Sequence, residues 1–327
     1  MLTESLGDKL VAAINKQALS RRAFGRLCVG LGSTFPVAMI ATTLSSPSAS
    51  SARVSSGERK VKFRNGAIVP ALGQGSMRLG QGGRSETDEQ EALRTGFSLG
   101  MKLIDTAELY GGGRSEEFVG RVIAGQRDRL FVVSKVVPRQ AAGDGIKRSC
   151  EASLARLGTN HIDLYLLHWR DKDTDLKSVV TVFESLRAEK KIRAWGVSNF
   201  GVGDLEDLFR IRDGDRCATN QVPYSLSDRN IERALLPWCE RHKMPVMAYT
   251  PLGNNLLRDP TLARIAAEHG CSAAAVALAW VIRSGNVIAI PESGSASHVK
   301  ENAAALSLVL SARDLQALDA AHPLSQK

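Results

Sequence analysis

From residue 60 onward, short apolar runs alternate with longer stretches in which apolar residues recur every three or four positions. The runs are Ala71-Leu72-Gly73, Leu103-Ile104, Leu130–Val133, Leu164–Leu167, Ala194–Val197, Gln221-Val222, Val246–Tyr249 and Val287–Ile290. Between and after them lie Thr87–Ser98, Glu116–Ala124, Gly145–Leu157, Leu176–Glu189, Asp204–Arg212, Asn230–His242, Thr261–Arg283 and Ala296–Ala305. Short apolar runs bounded by turn residues are the signature of strands covered on both faces. The longer stretches read as amphipathic helices. Eight strand–helix units predict an α/β fold, a closed (β/α)8 or TIM barrel. An open doubly wound sheet is the alternative, and the lack of a Gly-x-Gly-x-x-Gly turn after the first strand counts against it. Asn65-Gly66, between Lys62-Phe63 and Ile68-Val69, predicts a two-residue type I′ hairpin plugging the bottom of the barrel.

Residues 1–52 break this rhythm. Ser20-Arg21-Arg22-Ala23-Phe24 is followed by a mildly apolar stretch, Leu27–Leu44, interrupted by Gly30, Gly32 and Pro36, and then by the small residues Ser45–Ala52. A basic start, a modest apolar middle and a small-residue exit are the parts of an export signal. The paired arginine resembles a twin-arginine signal, with cleavage expected after Ala52. This implies the twin-arginine export machinery as a partner, a periplasmic destination and no membrane span after cleavage. The alternative is a chance Arg-Arg in an extension, with the protein staying in the cytoplasm. The expected organisation is a signal over 1–52, a linker over 53–59, a barrel over 60–322 and a short tail over 323–327.

Composition narrows the function classes. The chain has 327 residues, 43% hydrophobic and 24% charged, with 43 Lys and Arg against 34 Asp and Glu. Without residues 1–52, 38 basic and 32 acidic residues remain, a net charge of +6, and no basic run or aromatic-interleaved stripe is left for nucleic acid. The five cysteines are scattered, with no Cys-x-x-Cys and no Cys/His cluster, so neither a disulfide framework nor a metal site is expected.

Most of the apolar runs end in polar residues: Gln74-Gly75-Ser76, Asp105-Thr106, Ser134-Lys135, His168-Trp169, Ser198-Asn199, Gln221 with Tyr224, Thr250-Pro251 and Pro291-Glu292-Ser293. Asp105, Lys135, His168 and Ser198 follow one another at 30, 33 and 30 residues, one barrel unit each. In a barrel all of them reach the C-terminal rim, where sites form. Singly, each has a plain reading as a loop or capping residue.

Leu103-Ile104-Asp105-Thr106-Ala107-Glu108-Leu109-Tyr110-Gly111, Ser134-Lys135, Leu166-Leu167-His168-Trp169 and Gly196-Val197-Ser198-Asn199-Phe200 together resemble the aldo-keto reductase family. Asn220-Gln221-Val222 with Tyr224, Tyr249-Thr250-Pro251-Leu252-Gly253, and Ile290-Pro291 followed by Glu301-Asn302 extend the resemblance over about residues 60–322. It implies a monomer that reduces carbonyls to alcohols with NADP(H) or NAD(H) and no metal. By resemblance Tyr110 is the general acid, Lys135 lowers its pKa, Asp105 holds Lys135, and His168 orients the carbonyl. Ser198, Asn199 and Gln221 match the nicotinamide carboxamide positions, Tyr224 is expected to stack on the ring, and Thr250, Leu252 and Gly253 match a pyrophosphate loop. Pro291, Glu292, Ser293, His298, Glu301 and Asn302 match the adenosine end.

Two departures fall there. Glu292 and His298 stand where NADPH-preferring relatives often have Lys and Arg. A carboxylate beside a 2′-phosphate is repulsive, so weakened NADPH selectivity is expected. Ser76, Met77 and Trp169 are expected to line an open pocket for small aldehydes or dicarbonyls. The alternative function is a nicotinamide-nucleotide-binding, redox-sensing subunit with little turnover.

Overall fold

The structure, a computed structural model, describes residues 59–140 and 144–324. The expected signal (1–52), the linker up to residue 58 and the tail from 325 lie outside the described residues. Strands β1 (Lys60–Lys62) and β2 (Ile68–Pro70) form an antiparallel hairpin. Its turn differs from the expected type I′. Gly66 N–H donates to Phe63 O at 2.9 Å and Phe63 N–H to Ala67 O at 2.8 Å. Gly66 alone takes a left-handed φ, 90°, whereas a type I′ turn needs two such residues. Phe63 stacks on Phe131, at the start of the third barrel strand, with ring centroids 5.5 Å apart. The hairpin therefore covers the N-terminal end of the barrel.

The barrel strands are β3 (Gln74–Gly75), β4 (Leu103–Asp105), β5 (Phe131–Val136), β6 (Ile162–Leu167), β7 (Ile192–Ser198), β8 (Asn220–Pro223), β9 (Val246–Tyr249) and β10 (Val287–Ala289). Each pairs in parallel with the next in chain order. Parallel bridges Leu72–Ala289 and Gly75–Glu292 bring the first strand to the last. That sequential order has no reversal point, so the doubly wound alternative falls. β4, β6 and β10 are buried at every position, because one face packs the barrel interior and the other meets the helices.

Ten helices surround the strands: α1 (Glu86–Ser98), α2 (Arg114–Ile123), α3 (Gly145–Leu157), α4 (Leu176–Ala188), α5 (Val202–Arg210), α6 (Leu235–Arg241), α7 (Pro260–Glu268), α8 (Ala273–Val281), α9 (Ala296–Ala303) and α10 (Ala312–Ala321), counted among the described residues. The single stretch expected over Thr261–Arg283 is two helices. Gly270, at φ 62°, ends the first, and the Ser272 side chain accepts from Ala275 N–H to cap the second. Helix α8 is buried from Ala274 to its end, so it lacks the two-faced pattern of the others. Helix α10 was not among the expected stretches; Ser311 and Asp314 form a capping box at its start.

Among the described residues no helix is long and apolar enough to cross a membrane, and no group of His, Cys, Asp and Glu is arranged to hold a metal. Cys150, Cys217 and Cys239 are free and buried, and burial pushes their thiols up to about 12.

Candidate active site

The strand exits converge on the C-terminal rim. Asp105 is the last residue of β4, Lys135 the penultimate residue of β5, and His168 follows β6, its N–H bonded to Val136 O at 2.9 Å. Lys135 is fully buried and its ammonium makes three hydrogen bonds: to Asp105 Oδ2 at 2.7 Å, to Thr106 O at 2.8 Å and to Tyr110 Oη at 3.0 Å. The other Asp105 oxygen accepts from Gln221 Nε2 at 2.7 Å, across the barrel mouth. The His168 ring meets the Tyr110 ring edge-on, with centroids 5.8 Å apart. The structure thus brings Asp105, Tyr110, Lys135 and His168 into one cluster.

Burial sets the protonation states. It pushes the Lys135 ammonium down, against the pull of Asp105, and pushes the Asp105 carboxyl up, against the pull of Lys135 and Gln221. The Tyr110 phenol stands well above the ordinary tyrosine value, through burial and then the charges of Asp105 and Glu292. The pull of the Lys135 ammonium at 3.0 Å, expected to lower the phenol, is outweighed by burial in this structure. With burial the largest cause and the Asp105 and Glu292 charges behind it, the protein holds a neutral phenol. His168 lies well below the ordinary histidine value, through burial and then Lys135, so its imidazole is neutral. A neutral phenol can give up a proton, and an ammonium 3.0 Å away stabilises the oxyanion left behind.

Ser198 and Gln221 are register partners on β7 and β8. Asn199 follows Ser198, donates to His168 O at 3.0 Å, and accepts at Oδ1 from Tyr249 Oη at 2.9 Å. Amide and hydroxyl groups side by side supply both donors and acceptors, as a carboxamide ligand requires. The His168 Nδ1 atom is buried and finds no partner among the described residues, a second mark of a site built around a bound polar group. Asn199 and Thr250 take left-handed φ values of 62° and 51° although neither is glycine, the kind of local strain that collects at ligand sites. Gly253, at φ 56°, closes the turn begun by Thr250, with Leu252 half-buried between them.

Three expectations need correction. Tyr224 is not at the site: it is 1% exposed, donates to Glu232 at 2.7 Å, accepts from Arg283 at 2.9 Å, and packs against Trp280. Side chains alternate along a strand, and Tyr224 is an odd three places from Gln221, so it faces the helices. Tyr249 stands in register with Pro223, an even two places from Gln221, and its hydroxyl reaches Asn199; it is the aromatic that the sequence reading missed. Ser76 lines no pocket either. It is 0% exposed and donates to Asp105 O at 2.9 Å, beneath the cluster. Glu292 is no bare carboxylate: Arg78 donates to it from its backbone N–H at 2.8 Å and from Nε at 2.9 Å.

The remaining predicted residues lie around this centre. Pro291 is buried and accepts at its carbonyl from Gly75 N–H at 2.9 Å. Ser293 Oγ accepts from Ser295 N–H at 3.1 Å. His298 and Glu301 are exposed on α9, and Asn302 on the same helix is buried. Met77 is exposed at the rim, and Trp169 is half-buried, its Nε1 donating to Asp171 at 3.0 Å and its ring centroid 5.0 Å from that of His168.

The profile of the aldo/keto reductase family matches residues 71–323, nearly the whole barrel. The chain belongs to the aldo/keto reductase family. It is 44% identical over 272 residues to the methylglyoxal reductase YeaE of Escherichia coli (strain K12), covering 81% of this chain and 95% of that one. It is 34% identical over 265 residues to the glyoxal reductase of Bacillus subtilis (strain 168), covering 80% and 91%. Among solved structures, the aldo/keto reductase from Klebsiella pneumoniae in complex with NADP and acetate superposes with a TM-score of 0.80 at 45% identity, over 83% of this chain and 98% of that one. This member of the family thus shares its fold with these relatives and spans nearly the whole of each.

Proposed function

We infer that this aldo/keto reductase reduces small aldehydes and dicarbonyls of the methylglyoxal type to alcohols, with Tyr110 as the proton donor. The observation that carries the reading is the buried chain from Asp105 through Lys135 to the Tyr110 hydroxyl, opening beside a neutral His168. When bound, the nicotinamide cofactor supplies the electron pair. The protein does the rest. His168 orients the carbonyl oxygen by a hydrogen bond, Tyr110 Oη delivers a proton to it, and Lys135 stabilises the resulting phenolate. Asp105 keeps Lys135 aimed, and Ser76 supports Asp105 from below.

Ser198, Asn199 and Gln221 hold the carboxamide, and Tyr249 rather than Tyr224 offers its ring to the nicotinamide. The turn with Thr250, Leu252 and Gly253 takes the pyrophosphate. Pro291, Ser293, His298, Glu301 and Asn302 frame the adenosine end. Because Arg78 pairs the Glu292 carboxylate, discrimination against a 2′-phosphate is weaker than a bare carboxylate would impose, and both NADPH and NADH are accepted. Met77 and Trp169 give the pocket apolar, adaptable walls suited to small substrates.

The test is turnover of methylglyoxal, glyoxal and a steroid ketone with each nucleotide. Turnover of the two small dicarbonyls at enzymatic rates, well above the steroid, is expected. Tight nucleotide binding with no turnover on any carbonyl would instead favour a redox-sensing subunit.

A further inference from the structure

On its C-terminal side the loop that carries Tyr110 runs into three consecutive glycines. Tyr110 opens a short 3-10 turn, and Gly111, Gly112 and Gly113 follow with φ of 59°, 68° and 97°. Glycine reaches these angles without strain, and for the same reason it holds no one conformation firmly. On the N-terminal side the loop is fastened to β5. Glu108 N–H donates to Lys135 O at 3.3 Å, and Val137 N–H donates to Glu108 Oε1 at 2.9 Å. Strand β4 ends at Asp105, so these two bonds carry its pairing with β5 into the loop. A side-chain carboxylate takes the place of the next strand carbonyl. The result is a closed circuit: Tyr110 to Glu108 along the chain, Glu108 to Val137 by hydrogen bond, Val137 to Lys135 along β5, and Lys135 Nζ to Tyr110 Oη at 3.0 Å.

We propose that Glu108 is a positioning residue for proton donation, its carboxylate clamping the Tyr110 loop to the strand that carries Lys135. It touches none of the reacting groups. The loop borders a cavity of about 220 Å³ lined by Glu108, Leu109, Val137, Arg139 and Arg156, which gives it room to shift once unclamped. Arg156 does not replace the clamp, because its guanidinium is committed to the buried Glu116 at 2.6 Å. A displacement of an ångström or so at a reacting group costs on the order of a hundredfold in rate.

This inference rests on the reductase reading, and the experiment separates the two. Glu108→Ala, Glu108→Gln and Tyr110→Phe are compared in the full chain for methylglyoxal reduction with NADPH, NADPH affinity by fluorescence titration, and the solvent isotope effect. Glu108→Ala is expected to lose about tenfold to a hundredfold in kcat, with NADPH affinity held within about twofold and a larger solvent isotope effect. Glu108→Gln, whose amide oxygen still accepts from Val137 N–H, returns kcat to within about threefold of the parent. The proposal is overturned if Glu108→Ala stays within about threefold of the parent, if Glu108→Gln falls as far as Glu108→Ala, or if the loss lies in NADPH affinity. Should Glu108→Ala not fold, Glu108→Asp, a methylene short of the Val137 amide, takes its place with the same expected loss. Full activity in Tyr110→Phe defeats the reductase mechanism itself. An inactive Tyr110→Phe beside an unimpaired Glu108→Ala defeats only the clamp.

Discussion

Lys135→Met separates the two roles of the buried lysine, because it keeps the apolar stem and removes the ammonium. That ammonium is 0% exposed and gives hydrogen bonds to Asp105, Thr106 and Tyr110 at 2.7, 2.8 and 3.0 Å. Without it, Asp105 is a buried carboxylate held only by Gln221 from the opposite side. Breaking one half of a buried ion pair costs about 3–5 kcal/mol of stability. Losing a charge-assisted bond at the Tyr110 oxygen costs about 1.5–3 kcal/mol in the transition state, or about tenfold to a hundredfold in kcat. Adding Asp105→Asn removes the stranded charge. The double variant is therefore expected to regain most of the stability, read as the thermal midpoint, while its methylglyoxal kcat stays low. Recovery of kcat in the double variant would refute the electrostatic role of Lys135 and leave only a structural one. Unchanged stability in Lys135→Met would refute the ion-pair argument.

The protonation states give a pH expectation. With the Tyr110 phenol raised and the His168 imidazole depressed, neither group changes charge between about pH 6 and pH 9. Reduction by the wild-type chain should therefore be flat across that range. Oxidation of the alcohol, which needs the phenolate, should climb by about tenfold per pH unit; a bell-shaped reduction profile centred near neutrality would count against this. The Arg78–Glu292 pair gives another. Arg78→Ala unmasks the carboxylate and should weaken NADPH binding relative to NADH by about two- to fivefold, a modest factor because the guanidinium is exposed. Equal changes for both nucleotides in fluorescence titrations would dismiss the charge argument. Replacing Arg21 and Arg22 together with lysine should keep the protein in the cytoplasm of a twin-arginine-competent bacterium, as read by cell fractionation. Unchanged export would remove that reading of the first residues.

The barrel was legible because most of the apolar runs are short and lead into polar residues, so hydrophobic period and unit spacing carried the same message. The spacing of Asp105, Lys135 and His168 placed them on successive strand ends, and the structure brings them together with Tyr110. What stayed illegible depends on which way a side chain faces or on contacts between distant residues. Tyr224 follows one strand and Tyr249 ends the next, and only the facing relative to Gln221 distinguishes them. The pairing of Gln221 with Met247 and of Pro223 with Tyr249, which settles that facing, is a property of the folded sheet. Ser76 sits at a strand exit like its neighbours but turns beneath Asp105. The pairing of Arg78 with Glu292 spans the seam of the barrel, which no local pattern reports. The break at Gly270 was masked by alanine-rich sequence on both sides, and the clamp at Glu108 uses a side chain in place of a backbone carbonyl.

The central claim is that Tyr110 gives the proton, and Tyr110→Phe tests it most directly, because it removes one oxygen atom and leaves the ring. The measurement is single-turnover reduction of methylglyoxal by the variant preloaded with NADPH, beside a titration of NADPH affinity. The account expects NADPH affinity within about twofold of the parent and a reduction rate lower by at least about a hundredfold, the usual scale of a lost general acid. A reduction rate within about threefold of the parent, at unchanged affinity, would contradict it.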